Sequence, residues 1–258
     1  MQAAFSSFSS ALPQTQWNLS AMLKTSGISL DVQRHLVRVY ATLGACVLSA
    51  ALGCGAMLLL APTPLYTVEN AGWIGLVSLF GSVGGSVWLM VEPAYNYTKR
   101  FGILMAVAAC MGLSLSSIVD LTLHIDASIL VTAFLMTTTT FLCFTASAML
   151  AQRRSYLYIG GLLSSTLSIM AIFNLLNLFV RSHVLYTTNL YIGLGVFCAY
   201  VIFDTQMIIE KASLGDKDSL KHALELFLDF VSMFIRIVAI LLENSEKKRR
   251  EDENKRRR

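Results

Sequence analysis

The chain has 258 residues, of which 55% are hydrophobic and only 14% are charged, and its mean hydropathy is +0.62. This composition excludes a single soluble domain and is typical of a membrane protein with several spanning helices. The net charge of +4 does not indicate a nucleic-acid partner, because the basic residues cluster beside the apolar segments and in the C-terminal tail without interleaved aromatic residues.

The chain divides into three parts by composition. Residues 1–35 form a polar, Ser-rich segment that is predicted to be cytosolic. No basic stretch followed by an apolar core appears before residue 36, so we expect no cleavable secretory signal and expect the first span to direct insertion. Residues 36–243 are predicted to form a helical membrane domain, and residues 244–258 a basic cytosolic tail.

Six apolar segments are long enough to cross a bilayer as helices. They cover residues 39–60, 71–91, 101–119, 127–150, 156–180 and 189–209, and a seventh, more polar segment covers residues 223–242. In the second span, small residues recur every four positions and allow close helix packing in lipid; they are Ser78, Ser82, Ser86, Gly81 and Gly85. The sequence therefore predicts an all-α polytopic membrane protein.

Two aspartates lie at matched depth in the last two segments. Asp204 lies six residues before the polar end of the sixth segment, and Asp229 lies seven residues into the seventh. At a rise of about 1.5 Å per residue, both are roughly 9 to 10 Å from the same surface, and antiparallel helices would bring them together. Two carboxyl groups in a poorly solvated place cannot both ionise at low cost, so we expect the pair to share a proton and to titrate as a unit.

The seventh segment also carries a polar stripe on one helix face. Its members are spaced by three and four residues: His222, Glu225, Asp229, Ser232 and Arg236. Charges inside membrane segments usually mark an ion route, a proton relay or a counter-ion pair, so the aspartates form a candidate site with Glu225 and Arg236 as supporting charges. The alternative is structural, with Asp229 and Arg236 tying helices together and Asp204 capping its helix. Whether Arg236 pairs with Asp229 or with Asp204 stays open.

The distribution of basic residues predicts the topology. Eighteen of the twenty Lys and Arg residues lie on one side of the alternating segments, so the N-terminus and the turn between Asp204 and Asp229 are predicted to be cytosolic. A seventh crossing would place the basic tail on the other side. We therefore predict six transmembrane helices plus a seventh helix that is central or re-entrant, with both termini cytosolic and no glycan at the sequons of Asn18 and Asn96.

The residues do not predict an enzyme. The five Cys residues lie in apolar segments, and no His, Cys or carboxylate cluster has the spacing of a catalytic metal site. Two aspartates on adjacent spans could activate water in an intramembrane aspartyl protease, but the GxGD and PAL motifs of presenilin-like proteases are absent from the sequence. We expect no catalytic residues and no tightly bound cofactor.

Four stretches of the chain have a familiar pattern. They are VQRHLVRVYATLG, HIDASILVTAF, QRRSYLYIGGLLSSTLSIM and NLYIGLGVFCAYVIFDTQMIIEKASLGDKDSLKHALELFLDF, in which FDTQ and FLDF are specific motifs. Together they closely resemble the Bax inhibitor-1 family, also called the transmembrane BAX inhibitor motif family, over nearly the whole chain. One departure lies in the third span, where this chain has GLSLSS and the family commonly has a Gly-Pro step.

The resemblance implies a multi-pass endoplasmic reticulum membrane protein that suppresses programmed cell death and lets calcium leak from the lumen in a pH-sensitive way. The family's aspartate pair, its pH sensor and calcium-path gate, would fall on Asp204 and Asp229. The implied partners are anti-apoptotic Bcl family proteins, inositol-trisphosphate receptors and the unfolded-protein sensor of the endoplasmic reticulum.

Two functions of the protein are compatible with these residues and with the resemblance. The first is a passive calcium leak gated by the aspartate pair; two carboxylates fall short of the about six to eight oxygens of a tight calcium site, so Asp204 and Asp229 would hold the permeant ion only transiently. The alternative is a non-conducting membrane scaffold that inhibits apoptosis through protein partners, which its spans and tail would contact. Both functions involve membrane lipid as a partner, and neither involves nucleic acid. The sequence leaves the oligomeric state open, and a homo-oligomer is possible.

Overall fold

A computed structural model describes residues 29–60, 68–151 and 156–256, and the regular secondary structure in these ranges is helical throughout. The α-helices are α1 Leu30–Leu60, α2 Val68–Val91, α3 Tyr97–Ile125, α4 Ala127–Leu150, α5 Gly160–Val180, α6 His183–Ser213 and α7 Ser219–Arg256, with a short 3-10 helix, Leu157–Ile159, before α5. The predicted N-terminal segment up to residue 28 and its sequon at Asn18 lie outside the described residues.

The predicted all-α polytopic fold class is confirmed. Five of the described helices, α1, α3, α4, α5 and α6, are long and apolar enough to cross a membrane, and Gly75–Val91 of α2 is a shorter apolar helix. Several helices extend beyond the predicted spans; α3, for example, begins at Tyr97 and ends at Ile125. A helix can continue past the apolar stretch because its backbone N–H and C=O groups stay paired, whatever side chains it carries.

The seventh helix, α7, is the central helix of the bundle. It packs against α1, α3, α4 and α6, and its residues Leu224, Phe227 and Met233 are fully buried. The helix is unbroken over 38 residues. Of the two predicted alternatives, the structure therefore has the central helix, since a re-entrant segment would have to break and turn back.

Two glycines allow α1 and α3 to cross with their backbones in contact. A Cβ atom at Gly112 of α3 would overlap the carbonyl oxygen of Ala50 in α1, and one at Gly53 of α1 would overlap the carbonyl oxygen of Ala109 in α3. Such crossings in lipid depend on small residues, because packing there gains little from the hydrophobic effect. Gly112 opens the GLSLSS stretch, through which α3 continues without a break.

The small residues predicted to permit close packing of the second span do so against α3. Gly81 lies against the thiol of Cys110, and Gly85 lies against a methyl group of Val107. Ser82 is buried and donates a hydrogen bond to the carbonyl oxygen of Leu79 in its own helix. The spacing in α2 therefore serves helix packing rather than a ligand site.

The described ends of the chain lie at opposite ends of the bundle. Near the start of α1, Asp31 forms an ion pair of 3.8 Å with Lys217 in the turn between α6 and α7. Near the other end of the bundle, Glu243 of α7 accepts a hydrogen bond of 3.2 Å from Thr187 in the first turns of α6. An unbroken α7 thus runs the length of α6 and ends away from the turn. That both termini are cytosolic stays a prediction.

Residues 244–256 of the predicted tail continue α7 as one helix. Its basic residues between Lys247 and Lys255 are exposed, and the helix is supported by ion pairs one turn apart, Lys247 to Glu243 at 2.6 Å and Arg250 to Glu246 at 3.8 Å. A segment this polar would not nucleate a helix alone, but it adds turns to one that is already formed.

Glycan mapping tests this arrangement. We expect the natural sequon at Asn96 and a matched sequon appended before Met1 to stay unmodified when the chain inserts into microsomes, because the basic residues place both on the cytosolic side. A sequon appended after Arg258 tests the tail: it stays unmodified if both termini are cytosolic, and it is glycosylated if α7 crosses the membrane over its full length and carries the C-terminus away from the turn that contains Lys217. A glycan on Asn96 would reverse the predicted orientation.

Candidate functional site

The structure brings Asp204 and Asp229 together between α6 and α7. The two helices are antiparallel neighbours joined by the short turn of residues 214–218. The two carboxyl side chains share a hydrogen bond. Asp229 is buried, with 5% of its surface exposed, and its Oδ2 atom has no hydrogen-bond partner in the described residues.

The contact between the two carboxyl groups restricts the protonation states in which they attract each other. A carboxylate can only accept hydrogen bonds, so a bond between two carboxyl groups requires a proton on at least one of them. Two charged carboxylates in so poorly solvated a place would repel each other strongly. A proton shared by Asp204 and Asp229 would therefore tie α6 to α7, and that the pair holds such a proton stays a prediction.

A third carboxylate lies between the pair and the 214–218 turn. Glu225, one helical turn before Asp229, forms an ion pair of 3.4 Å with Lys211 of α6. The charge of Glu225 acts on both aspartates, and that of Lys211 acts on Asp204. Lys211 and Glu225 are partly exposed while Asp229 is buried, so this arrangement forms a polar approach to the pair from the turn side.

Arg236 pairs with neither aspartate. Its guanidinium group lies 4.3 Å from the centre of the Phe197 ring on α6 and donates a hydrogen bond of 3.0 Å to the carbonyl oxygen of Ser232. Gly193 of α6 makes room for it, since a Cβ atom there would overlap the Arg236 Nε atom. Within the described residues the charge is thus held by a ring and a carbonyl oxygen, two helical turns beyond Asp229.

The FDTQ motif fixes α6 to its neighbours around Asp204. The Thr205 hydroxyl lies 3.4 Å from the Tyr40 hydroxyl of α1. The Gln206 side chain accepts a hydrogen bond of 2.9 Å from the backbone N–H of Tyr156 and donates one of 3.4 Å to a carbonyl oxygen near the end of α4. Both side chains are buried, so the motif sets the position of α6 against α1, α4 and the entry to α5.

A second polar cluster lies on the turn side, and of its members only His222, in the polar stripe of the seventh segment, is singled out from the sequence. His35 Nε2 of α1 lies 2.9 Å from His222 Nδ1 of α7, and the buried Arg100 of α3 forms an ion pair of 2.6 Å with Asp218. Burial is the largest single effect and raises the pKa of Asp218, but the hydrogen bonds from Arg100 and from the backbone N–H of Lys221, together with the positive charge of Arg100, outweigh it, so this pKa lies below its ordinary value. The residues of each pair lie far apart in the chain, and no regular spacing in the sequence predicts that they are in contact.

The described residues contain no group of three or more His, Cys, Asp or Glu side chains arranged to hold a metal ion. The aspartate pair supplies two carboxyl groups, against the about six to eight oxygens of a tight calcium site. The transient calcium contact at Asp204 and Asp229 stays a prediction.

The helical bundle and its buried carboxyl pair define a polytopic membrane protein with an ionisable site beside its central helix. A family model described as "Inhibitor of apoptosis-promoting Bax1" matches residues 32–246. Bax inhibitor 1 of Sus scrofa is 43% identical over 91% of this chain and 96% of its own length. Bax inhibitor 1 of Homo sapiens is 41% identical over 91% of this chain and 96% of its own length. Bax inhibitor 1 of Arabidopsis thaliana is 41% identical over 95% of this chain and 96% of its own length. The chain belongs to the Bax inhibitor 1 family, which confirms the resemblance of its motifs.

Proposed function

We propose that this protein is an endoplasmic reticulum membrane regulator, not an enzyme, that suppresses programmed cell death and acts as a pH-sensitive calcium leak gated by Asp204 and Asp229. Membership of a family described as inhibitors of apoptosis-promoting Bax1 supports a membrane anti-apoptotic protein. The location, the leak and its pH sensitivity are what the family resemblance implies. The observation that carries the gate is the hydrogen-bonded carboxyl pair between α6 and α7.

The pair links two helices through a proton, so its protonation state bears on how they pack. With one shared proton, Asp204 and Asp229 form a closed link that carries one negative charge. A second proton removes that charge, and with it the attraction to Lys211, which weakens the hold between α6 and α7. In line with the family resemblance, we propose that the calcium path opens when the pH falls.

The order of charges along α7 suits a slow leak. A cation that follows the seam between α6 and α7 from the turn side meets Glu225, then the aspartate pair, and then the positive charge of Arg236. The carboxylates attract calcium, but they are too few to hold it tightly. Arg236 repels it, and a buried repulsion of this kind lowers the rate of passage.

Calcium efflux from liposomes that contain the purified protein tests this proposal. For the wild type, we expect efflux above that of empty liposomes and a rise as the pH falls. Asp204→Asn and Asp229→Asn should each make the efflux independent of pH, because either change removes the coupled titration of the pair. Asp120→Asn is the matched control, since this exposed residue of α3 forms an ion pair with His124 within its own helix, and it should leave the pH response intact.

If the wild type leaks no more than empty liposomes at any pH, the leak is rejected and the scaffold becomes the leading function. In that function the protein acts through its partners, for which we propose anti-apoptotic Bcl proteins, inositol-trisphosphate receptors and the unfolded-protein sensor. The observation in its favour is the end of α7, which presents exposed basic residues from Lys247 to Lys255 to acidic surfaces. A pH response that both aspartate variants retain would reject the gate while keeping the leak.

A further inference from the structure

An apolar cleft of about 420 Å³ lies in the half of the bundle away from the 214–218 turn. Its walls are α1, with Gly55, and α4, with Val131 and Phe134, and its floor is formed by α3 and by Phe230 and Phe234 of α7. The cleft exists because α1 packs mainly on α3 and α7 while α4 packs mainly on α6 and α7, which leaves a gap between α1 and α4.

The chemistry of the lining restricts what can occupy the cleft. Its volume is in the range of ligand sites, roughly 300 to 1,000 Å³. The lining side chains are aliphatic or aromatic, apart from the thiol of Cys54, and none of them carries a charge. A ligand with hydrogen-bonding groups in the cleft would leave them unpaired, at a cost in free energy, so the occupant is hydrocarbon.

The mouth of the cleft is continuous with the surface that faces lipid. Leu52 on the α1 side is 74% exposed, and on the α4 side Val131 is 61% and Leu135 58% exposed. In a membrane these side chains lie against acyl chains, since all three belong to helices with the length and composition of membrane spans. Lipid chains therefore have direct access to the cleft.

We propose that the cleft binds the acyl chain of a membrane lipid from the leaflet opposite the 214–218 turn. An empty cleft would leave Phe230 and Phe234 without contact on one side and would forfeit their dispersion energy. An acyl chain restores that contact without moving a helix. The leaflet follows from the position of the cleft near the start of α4, at the end of the bundle away from Lys217.

The bound chain would lie behind the helix that carries Asp229. On α7, Phe227, Phe230 and Phe234 face the cleft, whereas Asp229 faces α6 on the other side. The central helix α7 would therefore lie between a lipid acyl chain on one side and Asp204 of α6 on the other. The inference does not rest on the calcium leak, because it concerns binding and is tested by labelling.

Two other occupants are less suited to the cleft. The helix α1 begins at the turn end of the bundle, where Asp31 pairs with Lys217, whereas the cleft lies along the second half of α1, away from the point where a preceding segment would be attached. A second copy of the chain would have to insert side chains between α1 and α4 rather than lie across their exposed faces. An acyl chain needs only to bend inward from the lipid that already surrounds the protein.

Photolabelling distinguishes a chain in the cleft from ordinary boundary lipid. We would reconstitute the full chain in phosphatidylcholine vesicles that contain phosphatidylcholine with a diazirine near the end of one acyl chain, irradiate, and locate the label by peptide mass spectrometry. We expect label on Phe230 or Phe234 of the floor as well as on Leu175 and Phe179, which are exposed on the outer face of α5. Boundary lipid alone would label only the outer residues.

Gly55→Phe should abolish the floor label and keep the outer label, because a side chain at Gly55 enters the cleft with nothing within 4 Å of its Cβ atom. Gly44→Phe is the matched control, since Gly44 is equally open in the same helix but does not line the cleft. An unlabelled floor in the wild type overturns the proposal, and it is the result that a second copy or another segment of this chain would give. A floor label that persists in Gly55→Phe also overturns it.

Discussion

Gly112→Leu is expected to prevent the recovery of folded protein. The first atom of the new side chain would overlap the backbone carbonyl oxygen of Ala50, and a helix backbone cannot move aside as a flexible side chain can. Gly53 of α1 makes a second backbone contact of this kind, with the carbonyl oxygen of Ala109 in α3. To fit a leucine at position 112, α1 and α3 would therefore have to move apart along the whole crossing. We expect a loss of more than about 3 kcal/mol in the free energy of unfolding, above the usual range for overpacking.

The measurement is the yield of monodisperse protein in size-exclusion chromatography after extraction in detergent, followed by thermal unfolding of whatever is recovered. Gly102→Leu provides the control, because Gly102 lies in the same helix and a Cβ atom there meets nothing within 4 Å. The control should behave like the wild type. Normal recovery of Gly112→Leu would mean that α1 and α3 do not cross in backbone contact.

Arg100→Gln is expected to lower the thermal stability by roughly 6 to 12 °C. The substitution leaves Asp218 charged in a partly buried place without its cation, and breaking a buried ion pair costs about 3 to 5 kcal/mol. We use the lower end, about 3 kcal/mol, because one fifth of the Asp218 side chain is exposed, and we convert it with the temperature shift typical of chains of this size.

Lys99→Gln is the neighbouring control for Arg100. Lys99 pairs with Glu92 at the surface with 54% of its side chain exposed, so its loss should change the unfolding temperature little. A pH series adds a second readout: since the pKa of Asp218 is lowered in the folded state, its stabilisation is present above its ordinary pKa and is lost as the pH falls through the lowered one. Equal shifts for Arg100→Gln and Lys99→Gln would contradict a structural role for the buried pair.

The juxtaposition of Asp204 and Asp229 could be predicted because it depends only on local quantities. Both residues lie a similar number of positions from one short turn, and helical rise converts those numbers into depth. The central position of α7 could be narrowed to two alternatives in the same way, because its polar stripe requires protein around it. Amphipathic spacing and turn length are properties of adjacent segments, and sequence patterns report them well.

The partners of Arg236, Arg100 and His222 could not be predicted because they depend on which distant helices pack together. Arg236 finds Phe197 of α6 rather than either aspartate, and His222 finds His35 at the other end of the chain. Arg100 contributes to the topology count as a basic residue, yet its side chain is buried against Asp218. The cleft between α1 and α4 also follows from packing alone, since its lining residues come from four separate helices.

The unbroken length of α7 has a mechanical consequence. At about 1.5 Å per residue, its 38 residues form a rod of about 57 Å, nearly twice the roughly 30 Å of a bilayer's hydrocarbon core. The helix is embedded in the bundle where Asp229 contacts Asp204, and its C-terminal end projects from the bundle with its basic residues exposed. Because α7 is one continuous helix, a partner protein that binds its projecting end and shifts it would also shift Asp229. Partner binding and a change in protonation would then act on the same contact between α6 and α7.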